Sequence, residues 1–427
     1  APSTSSPNAS EDNPSQKIIL MSQTIQVHTT LQGQDVQAGT IFAQNNRITF
    51  RYTPEFLTSD NAYDLTPALP RVSDAPFFFE GLGPFSDSAP DRWGRKLLNR
   101  ALKRKRVSEI EYLLGVGDAT RQGALRYYID DTPQASGNDI PKLTDLPKLL
   151  DTADAVGEDR EVADIDLRRL YRATGSLGGA RPKACIYDKD MLWLAKFPKP
   201  SGDEWDIIGW EAVTLQLADM AGIRVPNHHT ISITDSQDRH RSVLLTSRFD
   251  RLPSKEGPSF MTRIPYYSAM TALDAHDGEG GDWLDLAEFA RSMGCDLHEL
   301  WRRAMFGAAI GNCDDHLRNH GFIRKDNTWE LSPAFDLNPE PYDENLSDEH
   351  QLTLFGDGQV TPELLMRKDA LALFDIPTSA AISYTEKLRS ALSQALSLAR
   401  KARIDSHSLA IMSGRFQHGL ETLGRLV

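Results

Sequence analysis

Asp314 and Asn319 stand five positions apart in Asn312-Cys313-Asp314-Asp315-His316-Leu317-Arg318-Asn319, and another carboxylate, Asp336, follows beyond a short hairpin pattern. These residue types in this order suit phosphoryl transfer. Asp314 can accept the proton of an attacking hydroxyl. The amide of Asn319 and the carboxylate of Asp336 offer the hard oxygen ligands that Mg²⁺ takes when it bridges nucleotide phosphates. His316 lies inside the loop, where it can orient the loop or a phosphate, or be hydrogen-bonded for structure alone. Backbone capping also uses polar turns, but capping explains neither the spacing nor the returning aspartate.

Two further segments carry matching chemistry. Gly175-Ser176-Leu177-Gly178-Gly179-Ala180 precedes a strand pattern beginning near Lys183. Small residues let backbone N–H groups approach phosphate oxygens, so this loop can cover a nucleotide; a plain turn is the competing reading. No Gly-Lys-Ser/Thr follows, so it is not a Walker A loop. Lys196 is the single charge in the apolar strand pattern Leu192-Trp193-Leu194-Ala195-Lys196-Phe197-Pro198, and Glu211 stands near the head of the next helical pattern. A buried lysine needs a partner, and a strand lysine paired to a helix glutamate is a device for orienting phosphates. An exposed edge lysine and a glutamate favoured by the helix dipole would look the same in sequence.

The elements that must position these groups read as a strand-rich half followed by a helical half. Residues 24–28 and 41–52 alternate, with Ile48, Phe50 and Tyr52 on one face. A basic helical pattern covers 91–106, then come a strand at 124–129 and a linker-like stretch at 130–141. Strand patterns at 184–187, 192–197, 230–234 and 242–246 are interrupted by one helical pattern at 210–221. Beyond 258 the chain reads as mostly helical, over 282–292, 297–310, 362–374 and 379–403, with a hairpin at 321–331 and an acidic loop at 338–350. The expected fold class is α+β and bilobal, kinase-like, with a strand-rich N-terminal region and a mostly α-helical C-terminal lobe. The breaks divide the chain into a disordered tail (1–17), an N-terminal α/β subdomain (18–133), a nucleotide-binding N-lobe (134–251) and a helical lobe carrying the catalytic loop (252–427).

Composition narrows the classes of function. Of 427 residues, 40% are hydrophobic and 25% charged, as in soluble globular proteins. Lys+Arg 47 against Asp+Glu 60 leaves −13, which argues against wholesale coating of nucleic acid. Segment 91–106 is a local exception, with eight basic residues against one acidic; it is either a contact for DNA, tRNA or an acidic partner, or a solvated face. The scattered Cys185, Cys295 and Cys313 lack metal-type spacing and fit a reduced, cytoplasmic setting without zinc. No apolar run has the length of a membrane span, so no membrane contact is expected.

In this order, the pieces resemble the HipA family of bacterial toxin serine/threonine kinases. The similarity runs from about Leu65 to Asp336. It rests on Gly175-Ser-Leu-Gly-Gly-Ala-Arg-Pro-Lys183, Leu194-Ala-Lys-Phe-Pro198, Ser247-Arg-Phe-Asp-Arg251, Gly311-Asn-Cys-Asp-Asp-His-Leu-Arg-Asn319 and Leu331-Ser-Pro-Ala-Phe-Asp336. The Asp-x-His-x-x-Asn form is also similar to that of lipid kinases. The resemblance implies ATP and Mg²⁺, with Asp314 as catalytic base beside His316, and Asn319 and Asp336 as magnesium ligands. It implies Lys196, partnered by Glu211, as the phosphate-binding lysine, with further ATP contacts from Ser176, Leu177, Gly178, Gly179, Ala180 and Lys183. Ser247, Arg248 and Phe249 would form the hinge near the adenine. Ser176 would be autophosphorylated, and the added charge would lock its loop out of the site.

The resemblance also implies the toxin half of a toxin–antitoxin pair. Its substrate would be a protein with a Ser/Thr acceptor, such as an aminoacyl-tRNA synthetase. A helix-turn-helix antitoxin similar to HipB would be its partner and its main route to DNA, and a homodimer is compatible with the family. Two features depart from the pattern. Asp315 stands where a small residue is expected, and the insert between Arg251 and Leu284, with Tyr266-Tyr267, bears on substrate identity. Two other classes use the same residues. A nucleotide-binding pseudokinase, acting as co-repressor or scaffold, needs no transfer. A metal-dependent phosphohydrolase built on Asp314, Asp315, His316 and Asp336 needs neither Lys196 nor the Ser176 loop.

Overall fold

The computed structural model describes residues 23–72, 74–137, 139–177, 179 and 181–427. The expected tail at 1–17, Gly178 and Ala180 lie outside them. The first unit is built on an antiparallel meander of β1 (Gln23–Leu31), β2 (Gln34–Gln44) and β3 (Arg47–Tyr52). Gln32 and Gly33 both take positive φ, as the two-residue turn between right-twisted strands demands. Alternation puts Ile25, Val27, Ile41, Ile48, Phe50 and Tyr52 on one buried face. A short helix α1 (Pro54–Thr58) follows, then β4 (Phe77–Glu80), α2 (Arg92–Ala101), α3 (Glu109–Gly115), β5 (Arg126–Ile129) and β6 (Thr132–Pro133). The sheet order is β4-β3-β2-β1-β5-β6.

Two expectations change here. The basic helix stops at Ala101 rather than 106, because Lys103 adopts a positive φ and the Ser108–Glu111 capping box starts a new helix. Part of the 130–141 stretch is no linker, since β6 extends the sheet.

The second unit opens with α4 (Leu146–Gly157) and α5 (Asp164–Thr174), where the sequence reading expected a single, later helix. The signal was there, since Leu146, Leu149, Leu150 and Ala153 recur at helical spacing and all are buried. With Leu167 and Leu170, they pack on Trp193, Val243 and Leu245 of a four-stranded antiparallel sheet. That sheet comprises β7 (Lys183–Asp188), β8 (Met191–Lys196), β9 (His228–Thr234) and β10 (His240–Ser247), in the order β7-β8-β10-β9. Helix α6 (Ile207–Met220) lies between β8 and β9 in the chain and is apolar nearly all round.

The third unit is mostly helical, as expected, around a small three-stranded sheet. It runs through β11 (Tyr266–Ser268), α7 (Ala269–Ala272), β12 (Gly281–Asp282), α8 (Trp283–Ser292), α9 (Leu297–Ile310), β13 (Gly321–Lys325), β14 (Thr328–Leu331) and β15 (Leu352–Thr353). Helices α10 (Pro362–Leu365), α11 (Lys368–Leu373), α12 (Thr378–Leu392), α13 (Ala395–Lys401) and α14 (Ser406–Gly424) complete it. The expected 362–374 and 379–403 helices are each broken in two, and α14 was not anticipated. The sheet order β11-β13-β14 adds a strand, beside Gly321, to the expected hairpin. Helices α6, α9, α12 and α14 share one core containing Trp210, Trp301, Met305, Leu388 and Phe416. The architecture is α+β and bilobal, strand-rich first and helical after. No helix among the described residues is long and apolar enough to cross a membrane.

Candidate active site

Lys196 ends β8, and its ammonium meets carboxylates from two other elements. Its Nζ donates to Glu211 Oε1 at 2.5 Å and to Asp336 Oδ1 at 2.9 Å. Asp206 caps α6, so Glu211 sits in the second turn rather than at the helix head, and is 2% exposed. Burial pushes the Glu211 carboxyl up, with Lys196 opposing and Asp336 adding to the shift. Burial also works against the Asp336 charge, but Lys196 more than offsets it and holds that carboxyl down at about 2. Burial disfavours the Lys196 ammonium, yet the two carboxylates hold it well above the usual lysine range. Asp336 has φ +60°, a left-handed conformation that aspartate tolerates, and Asn338 Nδ2 donates to its Oδ1 at 3.1 Å. Strain of this kind persists only where the surroundings over-determine it.

The loop that answers this triad leaves α9 at Gly311, whose left-handed φ of +62° closes the helix. A Cβ there would collide with the guanidinium of Arg415. Asp314 is exposed, and Gln351 Nε2 donates to its Oδ1. Desolvation raises the Asp314 carboxyl above its ordinary range; Asp336 and Asp315 add to this, while His316 and the Gln351 hydrogen bond oppose it. The extra charge at Asp315 has a structural partner, since both its oxygens lie 3.1 Å from Nε2 of buried His320. The His320 ring in turn meets Trp283 edge-on at 5.0 Å. Asn319 closes a one-turn 3₁₀ segment, its N–H donating to His316 at 2.8 Å.

A single cavity is lined by Ser176, Leu177, Lys196, Glu211, Ser247, Phe249, Asn319 and Asp336. Among the described residues of the expected set, Gly179, Lys183, Asp314 and His316 are not part of its lining. Lys183 is 2% exposed, and its Nζ donates to Asp91 Oδ2 at 2.8 Å and to the Leu177 carbonyl at 3.3 Å, fixing the start of the glycine loop. Asp91 also caps α2 through the Gly94 N–H. Ser176 is 1% exposed, and its Oγ accepts from the Gln122 N–H at 2.9 Å. Phe249 stacks on Phe335, the neighbour of Asp336, at 5.8 Å.

Arg248, Asp250 and Arg251 carry a function that the sequence reading missed. Arg248 forks onto both oxygens of Asp250, at 2.7 and 2.6 Å, and Arg251 reaches Asp250 Oδ2 at 3.0 Å. The same guanidiniums donate to the carbonyls of Thr120, Arg121 and Gly123, and Asp250 accepts from the Gly123 N–H at 2.7 Å. Burial opposes the Asp250 charge, but the two arginines hold its carboxyl far below the usual range. This clasp ties the first unit to the sheet that bears Lys196. Gln351 and Asp87 were missed as well. Asp87 holds the N-cap of α7 by accepting from the Ser268 N–H at 2.7 Å and the Ser268 hydroxyl at 2.8 Å, and it lines the same cavity.

The donor chemistry fits a hard dication. Asn319 and Asp336 present amide and carboxylate oxygens to one cavity, and Asp336 is held ionised. Lys196 supplies a fixed cation beside them. Asp314, outside the cavity lining, adds an exposed carboxylate with a raised affinity for protons whose charge is coupled to that of Asp336.

Comparison with known proteins adds three findings. The family model described as HipA-like C-terminal domain matches residues 175–401, and the one described as HipA N-terminal domain matches residues 31–128. A protein of Haemophilus influenzae described as "Putative kinase" is 26% identical over 188 residues, which is 40% of this chain and 54% of that protein. The chain thus spans about half the length of the curated relative it matches. Among solved structures, the toxin–antitoxin complex of HipA with HipB and operator DNA from Shewanella oneidensis MR-1 superposes with a TM-score of 0.68 at 15% identity. The match covers 94% of this chain and 97% of that one, and the likeness is one of fold.

Proposed function

The chain belongs to the HipA-like family, and from that premise we propose that it is an ATP- and Mg²⁺-dependent serine/threonine protein kinase, the toxin of a toxin–antitoxin pair. One observation carries the reading: Lys196 is joined to both Glu211 and Asp336 in a cavity that Asn319 shares. A metal-dependent phosphohydrolase needs no such lysine. Lys196 orients the nucleotide phosphates, and Glu211 keeps the ammonium aimed. Asn319 and Asp336 hold Mg²⁺, which when bound neutralises the phosphate charge. Asp314 takes the proton from the acceptor hydroxyl, and Gln351 holds one of its carboxylate oxygens. Ser247 and Phe249, which line the same cavity, would flank the adenine.

Ser176 is the proposed site of autophosphorylation. Its burial and its bond to Gln122 mean that the loop must leave its place before the hydroxyl can react. A phosphate there adds about two negative charges and keeps the loop from returning over the nucleotide. The partner we propose is a helix-turn-helix antitoxin like the HipB that accompanies the Shewanella protein, with DNA reached mainly through it. The substrate is a protein bearing a Ser/Thr acceptor, with an aminoacyl-tRNA synthetase as the first to try.

The test is incubation of the purified chain with Mg²⁺ and γ-labelled ATP beside Asp314→Ala, followed by mass mapping of phosphate. Label on Ser176 that is absent from the variant is expected. ATP binding without label would replace the kinase with a pseudokinase scaffold. Phosphoester hydrolysis without labelled protein would replace it with a phosphohydrolase.

A further inference from the structure

Directly behind the proposed base, the chain brings together three side chains that neither the kinase reading nor the cysteine spacing explains. Cys313 precedes Asp314, and Asp348 and His350 lie just before Gln351 at the end of the acidic loop. One ligand atom from each of the three falls within 4.8 Å of the others. His350 is 9% exposed, and its Nε2 has no hydrogen-bond partner. The ring bonds instead to the backbone of Asn312, which anchors it to the catalytic loop. A buried imidazole nitrogen without a partner is costly, and a cation is one of the few groups that satisfies it.

We propose that Cys313, Asp348 and His350 form a binding site for a zinc-class dication, distinct from the Mg²⁺ ligands at Asn319 and Asp336. The donor set selects the ion. Thiolate and imidazole favour zinc-class metals, whereas Mg²⁺ seeks oxygen alone. Tetrahedral bonds of roughly 2.0–2.3 Å place ligands roughly 3.3–3.8 Å apart, so the three atoms need close by only about an ångström. Water fills the fourth position. Binding displaces the Cys313 proton to solvent as the sulfur–metal bond forms.

Arg415 belongs to the site's outer layer. Its guanidinium holds Asp348 by both oxygens, at 2.6 and 2.7 Å, and donates to the carbonyls of Glu340 and Pro341 at 2.7 and 3.1 Å. Each Asp348 oxygen keeps a second lone pair for the ion, and the fork fixes the carboxylate's direction, as outer-layer partners of metal ligands do. The arginine also weakens the site for any cation that binds by charge alone, which again favours a metal drawn by sulfur and nitrogen. The metal would pin the segment carrying Gln351 against the loop carrying Asp314, a contact already made by the Gln351 N–H to the Cys313 carbonyl at 3.0 Å.

The experiment is optical titration of the full chain with Co²⁺, then displacement by Zn²⁺. One equivalent is expected to produce a thiolate-to-cobalt charge-transfer band with tetrahedral ligand-field absorption. Cys313→Ser should abolish the charge-transfer band, and His350→Gln should weaken binding at least about tenfold. Urea melts of both variants check that they remain folded. Bands that survive Cys313→Ser, or no band at millimolar Co²⁺, would overturn the site. The readout needs no phosphotransfer, so its failure and that of the kinase reading are distinguishable.

Discussion

Replacing Asp336 by asparagine tests the triad through stability and chemistry at once. Asparagine keeps the side chain's shape and tolerates the left-handed φ of +60°, so the change removes chiefly the charge. A carboxyl held at about 2 in the folded chain, against about 3.9 when unfolded, contributes on the order of 2.6 kcal/mol at neutral pH. The Asp336 side chain is 30% exposed, and solvent screening lowers this to roughly 1–2 kcal/mol. The sign follows from linkage. The folded value is depressed, so the stabilisation is complete above about pH 4 and is lost as pH falls toward about 2. Urea unfolding at pH 7, 5, 4 and 3 should show Asp336→Asn less stable than wild type at neutral pH, with the gap narrowing below about pH 4. The same variant should lose phosphotransfer, because two amides without a carboxylate hold Mg²⁺ weakly and Lys196 loses one of its two counter-charges. Equal stability at pH 7, or a gap independent of pH, would refute the claim that Lys196 holds Asp336 ionised.

Other expectations follow from the same contacts. Asp250→Asn leaves Arg248 and Arg251 buried without their counter-charge and should lower stability by about 3–5 kcal/mol, read from the urea midpoint; a loss under about 1 kcal/mol would mean that the carbonyl contacts alone hold the clasp. Lys196→Met should cut kcat by roughly 10²–10³ in the transfer assay, and near-wild-type turnover would sink its phosphate-orienting role. Gln351→Leu removes a donor that favours ionised Asp314, so the acid limb of the kcat/KM–pH profile should move to higher pH; a shift the other way would contradict Asp314 as the base.

Much of the candidate site was legible along the chain, because its chemistry is spaced locally. The Asp314–Asn319 interval, the hairpin that brings back Asp336 and a lone lysine in an apolar strand each follow from short-range pattern. That strand also demanded a partner for Lys196, and Glu211 on the next helix met the demand. The two helices α4 and α5 were equally legible, since their apolar spacing is regular, and leaving residues 146–174 without an element cost the expectation its second unit's helical layer. Asp315 shows the limit of such reasoning. From sequence its charge is surplus beside a metal site, while in the fold it is bound to His320 and turned away from that role.

What the tertiary structure alone decided is which charges meet. Lys183 finds Asp91, Arg248 and Arg251 share Asp250 with the Gly123 backbone, and Cys313 faces Asp348 and His350. Composition and periodicity determine that a residue will be buried and that its polar groups must then be satisfied. They do not determine the partner, because segments far apart in sequence approach one another only when the units pack. Burial makes an unpaired charge costly, so packing that supplies a partner is retained, and the identity of that partner is a property of the folded chain.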